Sequence, residues 1–370
     1  MTIVGTRPEI VRLSSVIKCC DRYFGHILVH TGQNWNRTLS QVLFDGFSLR
    51  EPDYYLDAAG GSLGETMGAI IAKSYEVLVK ERPDAPLVLG DTNSALSAIP
   101  AKRLRIPIFH MEAGNRCWDW NVPEMTNRTI VDHIADINLP YTENSRRYLL
   151  SEGIDGKTIF VTGSPMREVL RDMQTQIEAS SVLTELELVP KGYILLSAHR
   201  EENIDDEAAL VSLMQAVNHI AETYQLPVLY SVHPGSRKFI ESRSFEFHSL
   251  VRMHEPFGFS DYIKLQTNAF CVLSDSGTLS EESAILGFPG VPIHTSSERP
   301  EALDAGTVVI GGISGSEIEQ AVQLAVAMAD AGAQVGSVSD YEDTAVSTKV
   351  VKVIQSYAKI VSMTTWRKNG

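Results

Sequence analysis

Short apolar runs alternate with longer amphipathic stretches along nearly the whole chain, and few folds accept that alternation. Residues 1–4 lead into Gly5-Thr6-Arg7-Pro8-Glu9 and a helical stripe of Ile10, Leu13, Val16 and Ile17. Pro8 suits the first turn of a helix, where its missing N–H leaves no bond unmade. Residues 26–30 lead into Thr31-Gly32-Gln33-Asn34-Trp35 and a helix ending near Gly46. Residues 54–56 precede Gly60-Gly61 and a long helix marked by Leu63, Met67, Ile70, Ile71, Tyr75 and Leu78. The strand series continues at 87–89, 107–109, 137–139 and 159–161 until Gly163-Ser164-Pro165 interrupts it. A second series follows at 193–197, 227–232, 270–273, 291–293 and 308–310, and a last helix spans about 341–361. Uniformly apolar strands separated by helices predict parallel sheets covered on both faces. A chain of 370 residues exceeds one ordinary core. The expected fold class is therefore α/β, with two doubly wound, Rossmann-like domains facing each other across a cleft. Their expected spans are 1–164 and 165–345, with a helix over 346–370 packing back on the first domain.

Composition bears on partners more than on fold. Hydrophobic residues at 44% and charged residues at 21% are ordinary for a globular protein. No apolar run has the length to cross a bilayer, no signal-peptide pattern opens the chain, and no membrane partner is expected. Its first strand is short enough to leave a start further upstream open. Cys19, Cys20, Cys117 and Cys271 show no metal-ligand spacing and too few pairs for a disulfide framework, which fits a reducing cytoplasm. The net charge of −14, with no basic tail, argues against nucleic acid, whose phosphates are bound by clustered Lys and Arg.

Acids gather where strands end. Asp91 follows Gly90, Glu112 precedes Ala113-Gly114, and Glu124 follows Pro123 at a helix start. Ligands of open α/β sheets bind beyond the carboxyl ends of the strands, so three carboxylates there suggest proton transfer on a bound molecule. Acids also cap helices, a role that fits Asp91 or Glu124 taken singly. Arg7 and Arg12 lie near the start of the first helix, where free N–H groups attract anions and an arginine adds a bidentate phosphate partner. A plain surface arginine remains open for Arg7. Asp275-Ser276-Gly277-Thr278 follows a strand and opens a helix, with the same anion logic, while Thr278-Leu279-Ser280-Glu281 also fits a capping box. His199 ends the strand at 193–197, and an ordinary pKa of ~6.5 suits it to donate to a phosphate leaving group. His233 occupies an equivalent edge, and a structural histidine bonding a carbonyl fits either position. His110 and His133 read as packing or polar-network residues. Neither a P-loop nor G-x-G-x-x-G is present, and no His or Cys pair has ligand spacing, so no nucleotide cofactor or metal is expected.

In order along the chain, Gly5-Thr6-Arg7-Pro8-Glu9, Gly90-Asp91-Thr92, Glu112-Ala113-Gly114, Pro123-Glu124 with Asn127-Arg128, His199-Arg200, Asp275-Ser276-Gly277, Glu281-Glu282 and Glu298-Arg299-Pro300-Glu301 form a recognisable set. From residue 3 to about 305 the chain resembles the non-hydrolysing UDP-N-acetylglucosamine 2-epimerases. The resemblance implies the GT-B fold, a homodimer, and a reaction without metal or nicotinamide. It implies inversion at C2 of a UDP-linked N-acetylhexosamine through loss of UDP to a 2-acetamidoglycal and its re-addition. By matching positions, Asp91, Glu112 and Glu124 become the acid/base and charge-stabilising set, and His199 assists at the phosphates. Arg7 and the backbone of Ser276 and Gly277 hold the diphosphate, Glu282 the ribose, and Arg12 and Arg128 complete the UDP-sugar-binding set. The chain departs from the family's common form at Thr278, at Arg200-Glu201-Glu202, and at Gln33-Asn34-Trp35, where allosterically activated members carry Gln-His-Arg. Asn115-Arg116-Cys117-Trp118-Asp119 and His199-Arg200-Glu201-Glu202-Asn203 resemble the branch acting on UDP-2-acetamido-2,6-dideoxy-L-hexoses. That branch makes UDP-N-acetyl-L-fucosamine from the L-talo epimer for capsule or O-antigen, and Trp118 or Trp120 would serve the 6-deoxy position. Alternatives are a UDP-GlcNAc/UDP-ManNAc 2-epimerase, a hydrolysing epimerase, a GT-B glycosyltransferase and a non-catalytic nucleotide-sugar sensor.

Overall fold

The opening run forms β1 (Thr2–Val4), fully buried, and the turn after it starts α1 (Arg7–Tyr23). A computed structural model describes residues 1–32, 37–120, 122–198, 207–232, 237, 240, 245–294, 299–333 and 336–367. The chain divides into two parallel-sheet α/β units, Met1–Asp172 with Ser339–Gly370, and Met173–Val338. In the first, β2 (Leu28–His30), β3 (Tyr54–Tyr55), β4 (Leu87–Leu89), β5 (Phe109–Met111) and β6 (Ile137–Leu139) join β1. Their spatial order is β3-β2-β1-β4-β5-β6, every pair parallel. The chain winds outward to β3 and returns at β4, so the winding reverses between β1 and β4, the place where such sheets hold ligands. The turns Gly5-Thr6 and Gly90-Asp91 both stand at that reversal.

Helices α2 (Arg37–Gly46), α3 (Leu63–Glu81), α4 (Ala98–Arg103), α5 (Glu124–Ile134), α6 (Glu143–Ser151) and α7 (Met166–Asp172) connect and follow these strands. The stripe of α1 is placed as expected, with Ile10, Leu13, Val16 and Ile17 all buried. In α3 the expected set mixes two faces. The helix buries Ile70, Ser74, Val77 and Leu78, while Leu63 and Tyr75 are 63% and 46% exposed. Residues 159–161 form no strand beyond a single bridge from Ile159 to Asn138. The first unit also runs past the expected boundary at Ser164. Helix α7 packs on α1, and Ser15 Oγ donates to Asp172 at 2.8 Å.

The second unit carries α8 (Gln174–Ala179), α9 (Val182–Glu185), β7 (Ile194–Ser197), α10 (Glu207–Tyr224), β8 (Val228–Ser231), β9 (Val251–His254), α11 (Phe259–Asn268), β10 (Cys271–Ser274), α12 (Thr278–Leu286), β11 (Gly290–Pro292), α13 (Pro300–Asp304) and α14 (Gly315–Asp330). Its sheet runs β11-β10-β7-β8-β9, again all parallel, with the reversal between β7 and β10. Residues 308–310, expected as a strand, lie outside both sheets. β9 went unforeseen because its half-exposed positions, with Arg252 at the surface, form no apolar run. The last helix, α15 (Val346–Thr364), belongs to the first unit and lies along α1. Among the described residues, no helix is long and apolar enough to cross a membrane.

Candidate active site

The first turn at the reversal has no room for a side chain at Gly5. A Cβ there would stand 1.9 Å from Thr31 Oγ1 and 2.3 Å from Ser94 Oγ, which bond each other at 3.0 Å. Glu9, buried in the first turn of α1, gathers this turn with one oxygen. Its Oε2 accepts from the Gly5 amide at 3.0 Å and from the amide and hydroxyl of Thr6, each at 2.8 Å. Arg7 thereby starts α1 at the exposed end of a fixed turn.

The second turn brings two of the expected carboxylates together. Gly90 has φ +64°, and a Cβ on it would lie 3.4 Å from Glu112 Oε2. Glu112 and Asp91 therefore flank one glycine. Glu112 ion-pairs with Arg12, and its Oε1 accepts from Asn115 Nδ2 at 3.2 Å. Asp91 ion-pairs with Arg128 on α5. Asp91 does not cap the following turn. Thr92 does so, its Oγ1 accepting from the Ser94 amide at 3.2 Å. Asn127 Nδ2 donates to the Asp91 carbonyl at 2.9 Å, a second tie from α5 to the same turn. Glu124 opens α5 one helical turn before Arg128 and is exposed. Arg12 and Arg128, expected in the UDP-sugar-binding set, are both buried and each is salt-bridged to a carboxylate.

Glu112 has φ +61°, a left-handed conformation that costs a non-glycine residue about 1–2 kcal/mol. Such a residue persists when its surroundings over-determine it. Behind it lies a buried polar chain that sequence reading left as packing or network. His110 Nε2 donates to the Gly90 carbonyl at 2.8 Å, and Nδ1 stands 2.9 Å from Asp132 Oδ1. Asp132 accepts from the Gly114 amide at 3.2 and 3.1 Å and from Arg116 Nη1 at 2.7 Å. Arg116 continues to Glu152 through two bonds of 2.8 and 2.7 Å. Burial alone raises the Asp132 carboxyl, but His110 and Arg116 outweigh it and hold that carboxyl below its ordinary range.

In the second unit, α12 opens directly after the reversal. Gly277 is its N-cap, and a Cβ built there meets nothing within 4 Å, while the flanking amides are engaged within the turn, Ser276 N–H donating to Ser274 Oγ at 3.1 Å and Thr278 N–H to Ser276 Oγ at 3.4 Å. Ser276 Oγ bonds Thr278 Oγ1 at 3.0 Å. The capping box expected over 278–281 does not form. Thr278 is already helical, and the Glu281 carboxylate, fully buried, pairs with Arg299 at 3.0 Å. Glu282 is buried, with Oε2 accepting from Gln266 Nε2 at 2.6 Å. His199, with Arg200 to Asn203, lies outside the described residues, as do Gln33, Asn34, Trp35, His233 and Glu298. Among the described residues no three His, Cys, Asp or Glu side chains are grouped to hold a metal ion.

With this geometry in place, residues 18–355 match the family model described as UDP-N-acetylglucosamine 2-epimerase. The chain belongs to the UDP-N-acetylglucosamine 2-epimerase family. The solved structure of the UDP-N-acetylglucosamine 2-epimerase from Rickettsia bellii superposes with TM-score 0.93 at 44% identity, covering 100% of this chain and 99% of that one. The UDP-GlcNAc 2-epimerase of Methanocaldococcus jannaschii, solved with UDP-GlcNAc and UDP, gives TM-score 0.89 at 29% identity over 96% of this chain and 99% of that one. The UDP-2,3-diacetamido-2,3-dideoxy-D-glucuronate 2-epimerase of Pseudomonas aeruginosa is 32% identical over 88% of this chain and 92% of its own. The two parallel-sheet units are thus those of the GT-B-type fold of these epimerases, an isomerase family.

Proposed function

We propose that this chain inverts C2 of a UDP-linked N-acetylhexosamine by eliminating UDP and adding it back. The pairing of Asp91 and Glu112 around Gly90, each held by a buried arginine, carries the reading. The hydrogen on C2 is not acidic by itself, so the anomeric bond must loosen as the proton leaves. In the first half-reaction C1–O breaks, its electron pair goes to the diphosphate, a carboxylate takes the C2 proton, and C1=C2 closes a 2-acetamidoglycal. In the second, a diphosphate oxygen attacks C1 and a carboxyl group returns a proton to the opposite face. Two acid/base groups are needed, and Asp91, Glu112 and Glu124 are the set assigned to them. Arg7 and the amides at Ser276 and Gly277 are assigned to the diphosphate, Glu282 to the ribose and His199 to the leaving phosphate. Arg12 and Arg128 act in this reading through Glu112 and Asp91.

For the sugar we favour a 6-deoxy-L-hexosamine pair, ending in UDP-N-acetyl-L-fucosamine for surface polysaccharide. Supporting it, Trp118 and Trp120 are 57% and 65% exposed on the loop after β5, with Trp118 edge-on to Tyr148 at 5.7 Å. The names of the solved relatives favour UDP-N-acetylglucosamine instead. A panel of UDP-hexosamines incubated with the protein in heavy water, followed by NMR, decides between them. The expected result is deuterium at C2 and the C2 epimer, without free sugar. Asp91→Asn and Glu124→Gln are each expected to slow exchange by at least ~100-fold. Full exchange in both variants refutes the assignment. Free sugar with UDP would mark a hydrolysing epimerase, transfer to an acceptor a glycosyltransferase, and UDP binding without exchange a sensor.

A further inference from the structure

We propose that His110 and Asp132 are positioning residues that hold the Asp91 and Glu112 turns in one fixed relation. The inference rests on the reading of those two carboxylates as acid/base groups. His110 sits on β5 with its ring wholly buried, directly between the turn that follows β4 and the turn that follows β5. A carbonyl only accepts, so Nε2 donates to the Gly90 carbonyl at 2.8 Å, and since a carboxylate only accepts too, the Asp132 contact attracts through a hydrogen on Nδ1 as well. The other nitrogen faces Asp132 Oδ1 at 2.9 Å, and both oxygens of Asp132 receive the Gly114 amide. One carboxylate on α5 therefore reaches the residue before Asp91 through His110 and the residue two after Glu112 directly.

The two backbone positions that this chain bonds, Gly90 and Gly114, are left-handed, with φ +64° and +81°, as is Glu112 between them at +61°. The Gly90 and Glu112 amides are already tied to Met111 and Leu139 carbonyls across the sheet, and the bonds to the Gly90 carbonyl and the Gly114 amide fix two further polar groups of these turns. Arg116 and Glu152 hold Asp132 from behind, so the brace extends to α6. A buried polar chain of this kind is a poor source of stability compared with apolar packing, which points to geometry as its contribution. Misplacement of a reacting group by about 1 Å costs rate by ~100-fold while leaving ligand binding in place.

The test compares His110→Phe with His110→Gln, whose side-chain amide reaches the same carbonyl. Deuterium wash-in at C2 is measured per UDP-binding site, so that loss of folded protein is normalised out. The expected result is kcat lower by ~100-fold in His110→Phe with KM within about threefold, and recovery to within about tenfold of the parent in His110→Gln. The backbone 15N shift of Asp91, which reports the bond at the preceding carbonyl, moves in His110→Phe and returns in His110→Gln. A His110→Phe protein with kcat within threefold of the parent, or with an unmoved Asp91 shift, overturns the proposal. So does a folded His110→Gln protein that rescues neither. A parent that exchanges C2 of no UDP-hexosamine sinks the assigned chemistry instead, and the Asp91 shift then decides the brace alone.

Discussion

Glu9 sits in an environment that its residue type avoids. It is fully buried, and burial pushes its carboxyl up to about 7 from an ordinary 4.5, against the bonds from Thr6 and Gly5 that favour the charged form. A carboxyl raised in the folded state binds its proton more tightly there than in the unfolded chain. Stability therefore falls as pH rises from about 4.5 to about 7, by an amount on the order of 3 kcal/mol. Glu9→Gln keeps an acceptor for the Gly5 and Thr6 amides and removes the titration. Its Tm is expected to change less than the parent's across that window, and equal pH slopes in thermal melts would reject the account. The motif around Glu9 was legible in the sequence, but its burial was not. Likewise Asp91 and Glu112 stood out beside their glycines, whereas the arginines that pair with them are distant in sequence and meet them only in the fold. His110 gave no signal beyond its residue type.

Among the elements, α15 shows how a distant segment is recruited. Glu168 on α7 accepts from the Ser347 amide at 2.9 Å and the Ser347 hydroxyl at 2.6 Å, capping the first turn of a helix nearly 180 positions later. Ser347 is buried, so losing the carboxylate leaves a donor unsatisfied, at a cost of about 1–3 kcal/mol. Glu168→Ala is expected to speed hydrogen exchange through the first turn of α15 while leaving the amides of β4 and β5 protected. Unchanged protection in α15 would show the cap to be dispensable. The helix itself was visible from its apolar spacing. Its partner was not, because a cap supplied by another element leaves no local mark. The exposed Leu63 and Tyr75 of α3 carry the same lesson, since apolar residues near one another on a helix need not share the buried face.

At the scale of the molecule, two units with separate sheets predict separable unfolding transitions. The proposed assignment places the UDP contacts of Ser276, Gly277 and Glu282 in the unit Met173–Val338. UDP at ~100 times its Kd is then expected to stabilise that unit by about 2.7 kcal/mol in scanning calorimetry, and less in Glu282→Gln. A shift confined to the transition of the other unit would move the nucleotide site. The strand and helix alternation, the parallel sheets and the carboxylates at strand ends could be read directly from residue order, because burial on both faces and tight glycine turns are local demands on composition. Tertiary structure alone decided the salt bridges of Arg12 and Arg128, the brace through His110 and Asp132, the end of the first unit at Asp172, and the half-exposed β9. Those depend on which distant residues become neighbours, and the pairing of buried charges is selected by position in space, which no local pattern encodes.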